Sequence, residues 1–259
     1  MENEMYDRPS GRFWELDFLR GIAIVLMIVF HLLYDLDYFG GYNFSLHSGV
    51  FLYLGRSAAI IFILLVGISL TLSISRTKKY SSPGQNLYPK YIKRGLRIFG
   101  WGLLLTLLTL TFIGEGVIVF GILHFIGVSI ILAYPFLRFK SINLLMGIIF
   151  ICLGLYLQNF NIDFPWLLWL GFIPENFYTF DYFPILPWFG VVLIGVFAGN
   201  MLYPGYTRQF NLADLSRFIP VNIFCLMGRY SLFIYLVHQP FLIMVLYLMG
   251  FLETGTITM

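Results

Sequence analysis

Arg20 and His31 are ionisable residues with ten residues between them in one apolar run, Phe18–Leu36. An offset of eleven residues on an α-helix returns to almost the same face, and Asp35 lies one turn beyond His31. These three residues and Met27 therefore share one polar stripe. A carboxylate can fix the tautomer of a histidine and stabilise the imidazolium after proton uptake, so His31 with Asp35 is a candidate general base.

The composition indicates an integral membrane protein. Of the 259 residues, 59% are hydrophobic and only 11% are charged, against roughly 25% charged in soluble domains. An ionised group near the centre of a bilayer costs about 2.5–3.5 kcal/mol even on insertion scales, so the ionisable residues within apolar runs are functional candidates. We expect one transmembrane domain over residues 1–259.

Seven apolar segments are each close to the length that crosses a bilayer as a helix. We therefore expect an all-α polytopic membrane protein with about seven transmembrane helices. The further segment Pro220–Met227 is short and predicts an interfacial approach to the last span. The seven segments are Glu15–Leu36, Gly49–Ile74, Lys90–Phe112, Val117–Leu137, Ser141–Leu157, Pro184–Leu202 and Arg229–Phe251.

Lysine and arginine residues lie in alternate loops, which predicts the orientation. By the positive-inside rule the N-terminus, with residues 1–14 as a tail, is cytoplasmic and the C-terminus is outside. The longest external loop, residues 158–183, is acidic and aromatic, and its centre, Phe164–Phe172, suits a helix lying in the interface. The basic residues of the cytoplasmic loops and adjoining helix ends are Arg76, Lys78, Lys79, Lys90, Lys93, Arg94, Arg97, Arg138, Lys140, Arg208 and Arg217.

Helix rise gives the depth of the polar residues. If the first span enters near Glu15, Arg20 lies about 8 Å deep and His31 about 24 Å deep. Counted from the outer side, Arg56 and His124 are each about 10 Å deep, near the level of His31. The polar residues thus extend from a basic cytoplasmic side to a histidine-rich outer side, with about 16 Å between Arg20 and His31.

The intramembrane candidates also have structural interpretations. Arg56 has no carboxylate in its own helix, so we expect Asp35 or Asp181 as its partner. His124 lies between Gly121 and Gly127, and could either take part in chemistry or bond across helices. His238 precedes Pro240, which breaks a helical hydrogen bond, and a structural role is favoured there.

Arg94 and Arg97 are neighbours on one face of the third span. Two guanidinium groups at a membrane surface suit a phosphate or pyrophosphate, because each binds phosphate oxygens in a bidentate manner. Ordinary anchoring by the positive-inside rule is the alternative.

Several classes of function lack their motifs. The sequence contains no Gly-rich phosphate loop, nucleophile elbow or nucleic-acid-binding pattern. Cys152 and Cys225 have no spacing typical of a disulfide framework or a zinc site, so no metal is expected. A histidine-based transfer from a phosphate-bearing donor is the chemistry that remains.

Four motifs in order resemble a known family: Glu15–His31, Gly121–Gly127, Asp181–Gly190 and Gly228–Pro240. They are similar to the small bacterial and archaeal relatives of the heparan-α-glucosaminide N-acetyltransferase catalytic domain, over essentially the whole chain. The spacing of Arg20 and His31, and the pair Arg94 and Arg97, also resemble hallmarks of the wider acyltransferase-3 superfamily.

The resemblance implies a membrane acyltransferase that takes its acyl group, expected to be acetyl, from cytoplasmic acyl-CoA. The acceptor would be a hydroxyl or amine of an extracytoplasmic glycan or lipid-linked sugar. His31 becomes the candidate catalytic residue, and Arg20, Arg94 and Arg97 become candidate donor contacts. In the lysosomal enzymes an amide residue matches His31 and a histidine in the following loop is favoured, so His47 competes for the catalytic role.

The rival hypotheses are a noncatalytic transporter or flippase for an anionic lipid-linked or sugar substrate, and a structural membrane subunit. We expect a multi-pass protein of the plasma membrane in contact with lipids, with no nucleic-acid partner; the sequence is compatible with a homodimer. The candidate catalytic residues are His31, Asp35, His124 and His47; the donor-binding residues are Arg20, Arg94 and Arg97; the substrate-binding residues are Arg56, Asp181, Trp188 and His238.

Overall fold

The computed structural model describes residues 12–42, 44, 49–80, 85–160, 164–175 and 177–251. Within these ranges the chain forms eight α-helices and no β-strand, which confirms the all-α prediction. In chain order the helices are α1 (Trp14–Gly40), α2 (Gly49–Tyr80), α3 (Tyr88–Phe112), α4 (Ile122–Ala133), α5 (Ile142–Leu157), α6 (Ile185–Leu202), α7 (Ile219–Arg229) and α8 (Ser231–Leu248).

The helices coincide with the apolar segments predicted from the sequence. The fourth segment is α4 followed by a short 3-10 helix, Tyr134–Arg138, and α7 covers the short segment before the last span. Five helices are long and apolar enough to cross a membrane by length and composition: α1, α2, α3, α6 and α8. The other three are shorter. The count of seven spans and the orientation of the termini therefore stay predictions.

The chain divides into two compact units, which we describe separately. One comprises residues 1–62 and 212–259 and contains α1, the first part of α2, α7 and α8. The other comprises residues 63–211 and contains the rest of α2 with α3, α4, α5 and α6.

Two glycines allow α1 and α7 of the first unit to cross at backbone distance. A Cβ atom added at Gly228 would lie 1.8 Å from the main-chain oxygen of Asp17, and one at Gly21 would lie 2.0 Å from that of Phe224. The contacts run in opposite order along the two helices, so α7 packs antiparallel to the start of α1. Because lipid is as apolar as a leucine side chain, helix association in a membrane relies on such close packing of small residues.

Glycines also allow close helix crossings in the second unit. A Cβ at Gly95 would lie 2.6 Å from the carbonyl oxygen of Gly127, which brings α3 against α4. Gly147 and Gly190 do the same for α5 and α6, with distances of 2.8 Å and 2.5 Å to each other's carbonyl oxygens. These close crossings determine which helices of this unit pack together, and so where the polar residues on them lie.

Candidate active site

Asp17 is the buried anion at the start of α1. Its side chain is 2% exposed, and its Oδ1 forms a 2.6 Å salt bridge with Nη1 of Arg20, one turn later. Arg12 and Arg229 reach the other carboxylate oxygen at 3.2 Å and 3.4 Å. Arg20 is therefore part of an ionic cluster that joins α1 to the end of α7. Its predicted contact with the donor stays a prediction.

His31 presents one free ring nitrogen. Its Nδ1 lies 2.9 Å from the carbonyl oxygen of Met27, one turn earlier in α1. A carbonyl only accepts, so Nδ1 carries the proton and the Nε2 of the neutral ring keeps its lone pair. No described residue bonds that Nε2. The ring is thus fixed in the tautomer that a general base at Nε2 requires.

His238 of α8 faces His31 across the helix pair. The ring centroids are 4.8 Å apart and the ring planes are inclined by 76°. His238 Nδ1 lies 2.6 Å from the carbonyl oxygen of Tyr235, so this ring also carries its proton on Nδ1. Its Nε2 is buried and forms no hydrogen bond with any residue that the structure describes. Both histidines thus use their own helix backbone to keep Nε2 unprotonated.

Asp35 is fully buried and is held by α8. Gln239 donates a 2.6 Å hydrogen bond from its side-chain amide to Asp35 Oδ1. Among the described residues no hydrogen bond joins Asp35 to His31, so the ring is oriented by the Met27 carbonyl instead. Sequence reasoning did not select Gln239. The signal was a second polar residue beside His238 in an otherwise apolar helix.

Arg56 lies on the first part of α2 and is exposed. The expected pairing with Asp35 is wrong, because within the described ranges Gln239 is the hydrogen-bond partner of Asp35 Oδ1 and neither oxygen pairs with Arg56. The predicted role of Arg56 in binding substrate stays a prediction.

His124 has both ring nitrogens engaged. Its Nδ1 accepts a 3.2 Å hydrogen bond from the backbone N–H of Gly121, so Nε2 carries the proton and donates to Thr106 at 3.3 Å. Thr106 in turn donates a 2.6 Å hydrogen bond from its hydroxyl to the carbonyl oxygen of Ile118. The residue is 2% exposed. These bonds give His124 a structural part at the start of α4, and its catalytic role stays a prediction.

Asp181, from the segment before α6, caps the N-terminus of α4. Its Oδ2 accepts a 2.9 Å hydrogen bond from the backbone N–H of Ile122, the first residue of α4. An aspartate at this position satisfies a free N–H and complements the helix dipole. Trp188, at the start of α6, packs its ring 4.9 Å from that of Phe183. Substrate contacts of Asp181 and Trp188 stay predictions.

Arg94 and Arg97 are both exposed on α3. Within the described part of the chain neither forms an ion pair with a carboxylate. The neighbouring cations are bound differently: Lys90 donates to the Thr77 hydroxyl at 2.7 Å, and Arg76 lies 5.9 Å from the centre of the Tyr206 ring. The guanidinium pair is thus available to an anionic ligand.

His47 lies outside the described residues, so the structure gives no geometry for this competing candidate. Within the described ranges, no three metal-ligating side chains of His, Cys, Asp or Glu come together.

A scan of family models matches residues 12–240 to the heparan-alpha-glucosaminide N-acetyltransferase catalytic family. The chain belongs to this family. Membership confirms the resemblance stated above and indicates a membrane protein of an acetyltransferase family. The match includes Arg20, His31, Asp35 and His238, and it ends at Pro240, directly after Gln239. Searches of curated proteins and of solved structures gave no match.

Proposed function

We propose that the protein transfers an acyl group, expected to be acetyl, from acyl-CoA on the cytoplasmic side to a hydroxyl or amine on the outer side. The acceptor belongs to a glycan or a lipid-linked sugar, and the membrane is the plasma membrane. Family membership supports the transferase class, and the geometry around His31 supports the chemistry.

The observation that carries the proposal is the free Nε2 of His31. The Met27 carbonyl fixes the proton on Nδ1, so the ring is prepared to accept a proton at the other nitrogen. A histidine with a purely structural role would stabilise the fold more if both of its ring nitrogens formed hydrogen bonds, as those of His124 do. His31 and His124 therefore differ in the property that a base needs, and among the described residues His238 shares the unbonded Nε2 of His31.

The proposed reaction balances without a further reactant. The acceptor oxygen or nitrogen attacks the thioester carbonyl carbon while His31 Nε2 takes its proton. The carbon–sulfur bond breaks, and the CoA thiolate leaves and ends protonated by the imidazolium. General base catalysis of this kind contributes about 10²–10⁴-fold.

Arg94 and Arg97 supply the donor contact in this proposal. A CoA molecule carries phosphate groups, and two guanidinium groups without carboxylate partners form charge-assisted hydrogen bonds to phosphate oxygens. Arg20 lies at the predicted cytoplasmic end of α1, but Asp17 already engages it.

The test uses purified full-length protein in detergent with labelled acetyl-CoA and a total glycan and lipid extract. We expect release of free CoA and labelled acetyl on an extracted glycan or lipid. His31→Ala should reduce the rate by at least about 100-fold, and added imidazole should restore part of it by occupying the vacated space as a free base. Labelled acetyl on an acceptor excludes a simple transporter.

The proposal fails if wild-type protein releases no CoA with any extract. It also fails in its choice of base if His31→Ala retains the full rate, in which case His47→Ala is the variant to compare.

A further inference from the structure

Gln239 of α8 forms a side-chain hydrogen bond with Asp35 of α1. It is separated from Asp35 by 204 positions in sequence and donates its amide hydrogen to Oδ1 at 2.6 Å. Because a carboxylate oxygen only accepts, the amide NH₂ must face Asp35, and the amide oxygen Oε1 then faces away.

The Asp35–Gln239 contact leaves two buried acceptor atoms without a donor among the described residues, Asp35 Oδ2 and Gln239 Oε1. A third, the buried Nε2 of His238, belongs to the residue next to Gln239 in α8. These three are half of the six such side-chain atoms among the described residues; the others are on Trp14, Ser129 and Asn143. A buried polar atom without a partner costs about 1–3 kcal/mol, so three on Asp35 and these two adjacent residues of α8 call for an explanation.

Helix association alone does not account for them. One amide–carboxylate bond already joins the two helices, and apolar side chains of similar volume in place of the remaining polar atoms would avoid their burial cost. The free Nε2 of His31 lies one turn from Asp35 and beside the His238 ring, which adds a fourth acceptor to the same part of the helix pair.

We infer that Gln239 is a specificity-determining residue: with Asp35 and His238 it binds a group that brings several hydrogen-bond donors and no negative charge. A sugar face with hydroxyl or ammonium groups has this chemistry. A carboxylate, sulfate or phosphate brings only further acceptors and is rejected. The inference rests on the proposed function in taking the group bound here to be part of the acyl acceptor.

Gln239 has two tasks in this arrangement. Its NH₂ positions the Asp35 carboxylate, and its Oε1 receives a donor from the ligand. Gln239→Met keeps the length and approximate volume of the side chain but removes both tasks. Gln209 offers a matched control, because it is an exposed glutamine whose side-chain amide, among the described residues, bonds only the Thr207 hydroxyl, at 3.4 Å.

The experiment measures sugar binding by the thermal shift of the purified full chain in detergent, without acyl-CoA. The probes are glucose, glucosamine and glucuronate, which share ring hydroxyls; glucosamine has an ammonium in place of one hydroxyl, and glucuronate has a carboxylate in place of the C6 hydroxymethyl group. We expect glucose and glucosamine to raise the Tm and glucuronate to leave it unchanged. Gln239→Met should bind the first two at least about tenfold more weakly, whereas Gln209→Met should match the wild type.

The inference is overturned if glucuronate binds as well as glucose, if no sugar raises the Tm, or if Gln239→Met binds like the wild type. The comparison of the three sugars uses wild-type protein, so it tests the inference even if Gln239→Met does not fold. In turnover assays the same variant should raise KM for the acceptor and leave KM for acetyl-CoA unchanged, which a general loss of structure would not do.

The two proposals can fail separately. Sugar selectivity without acetyl transfer contradicts the proposed function alone, because the binding assay contains no donor. Acetyl transfer without sugar selectivity contradicts the specificity role of Gln239 alone.

Discussion

Arg20 forms a 2.6 Å salt bridge to Asp17, the buried carboxylate one turn earlier in α1. The same carboxylate binds Arg229 at the end of α7, close to the point where Gly228 meets the backbone of α1. The cationic member of the Arg20 and His31 pair is therefore part of the contact between α1 and α7. His31, by contrast, keeps one nitrogen free.

Removal of the Asp17 charge should loosen this contact. In Asp17→Asn three arginines lose their shared anion, and because their side chains are partly exposed we expect a moderate loss of about 2 kcal/mol in the free energy of unfolding. Chemical denaturation of the protein in detergent measures the change. Glu175→Gln, at an exposed position, is the control. Equal stability of the two variants would show that the cluster contributes little.

A methyl group at Gly228 should separate α1 from α7. Gly228→Ala places a Cβ atom 1.8 Å from a backbone oxygen that cannot move aside without shifting the helix, so we expect destabilisation of at least about 2 kcal/mol. Gly100→Ala is the matched control, because nothing lies within 4 Å of its Cβ and alanine favours a helix interior by about 0.5–1 kcal/mol. The Tm should fall in the first variant and stay or rise in the second. A normal Tm for Gly228→Ala would contradict the close crossing.

Loss of the Thr106 hydroxyl should affect stability and leave the chemistry intact. Thr106→Val leaves the His124 Nε2–H and the Ile118 carbonyl without their shared partner, at a cost of about 1–3 kcal/mol. We expect a lower Tm and an unchanged acetyl-transfer rate per folded molecule. A large fall in kcat at constant Tm would instead support His124 as a catalytic residue.

The guanidinium pair on α3 should govern donor affinity. Arg94→Ala with Arg97→Ala removes two charge-assisted contacts, so KM for acetyl-CoA should rise about tenfold or more while kcat changes little. The rise should shrink at high salt, which screens exposed charges.

Lys78→Ala with Lys79→Ala removes the same charge from exposed positions at the end of α2 and should leave KM near the wild-type value. An equal effect of the two double variants would indicate that net charge, not the arginine pair, attracts the donor.

The sequence predicted the helices because their signals are local. Seven apolar runs, separated by polar and glycine-rich loops, coincide with α1 to α6 and α8, and the shorter run Pro220–Met227, predicted as an interfacial approach to the last span, lies within α7. The offset of eleven positions from Arg20 to His31 placed both on one face of α1, since the helical repeat depends only on the backbone.

Hydrogen-bond partners could not be predicted in this way. Asp17 and Arg20 are three residues apart, so their pairing was within reach of local reasoning. The bond from Gln239 to Asp35 was not, because it depends on which helix packs beside α1. The bond at His31 Nδ1 is local, since Met27 lies one turn earlier in α1. The bond at His124 Nε2 is not, because it depends on Thr106 of the neighbouring helix α3.

The sequence by itself thus determined the membrane character, the all-helical fold, the family and the set of ionisable residues inside apolar helices. The tertiary structure decided which of those residues are occupied by protein partners and which keep free atoms. The physical reason is that periodicity fixes the face on which a side chain stands, whereas the close crossings at glycines fix the helix opposite it. Among the described residues, Nε2 of His31 and the buried Oδ2 of Asp35 have no hydrogen-bond partner, and their part in the chemistry stays a prediction.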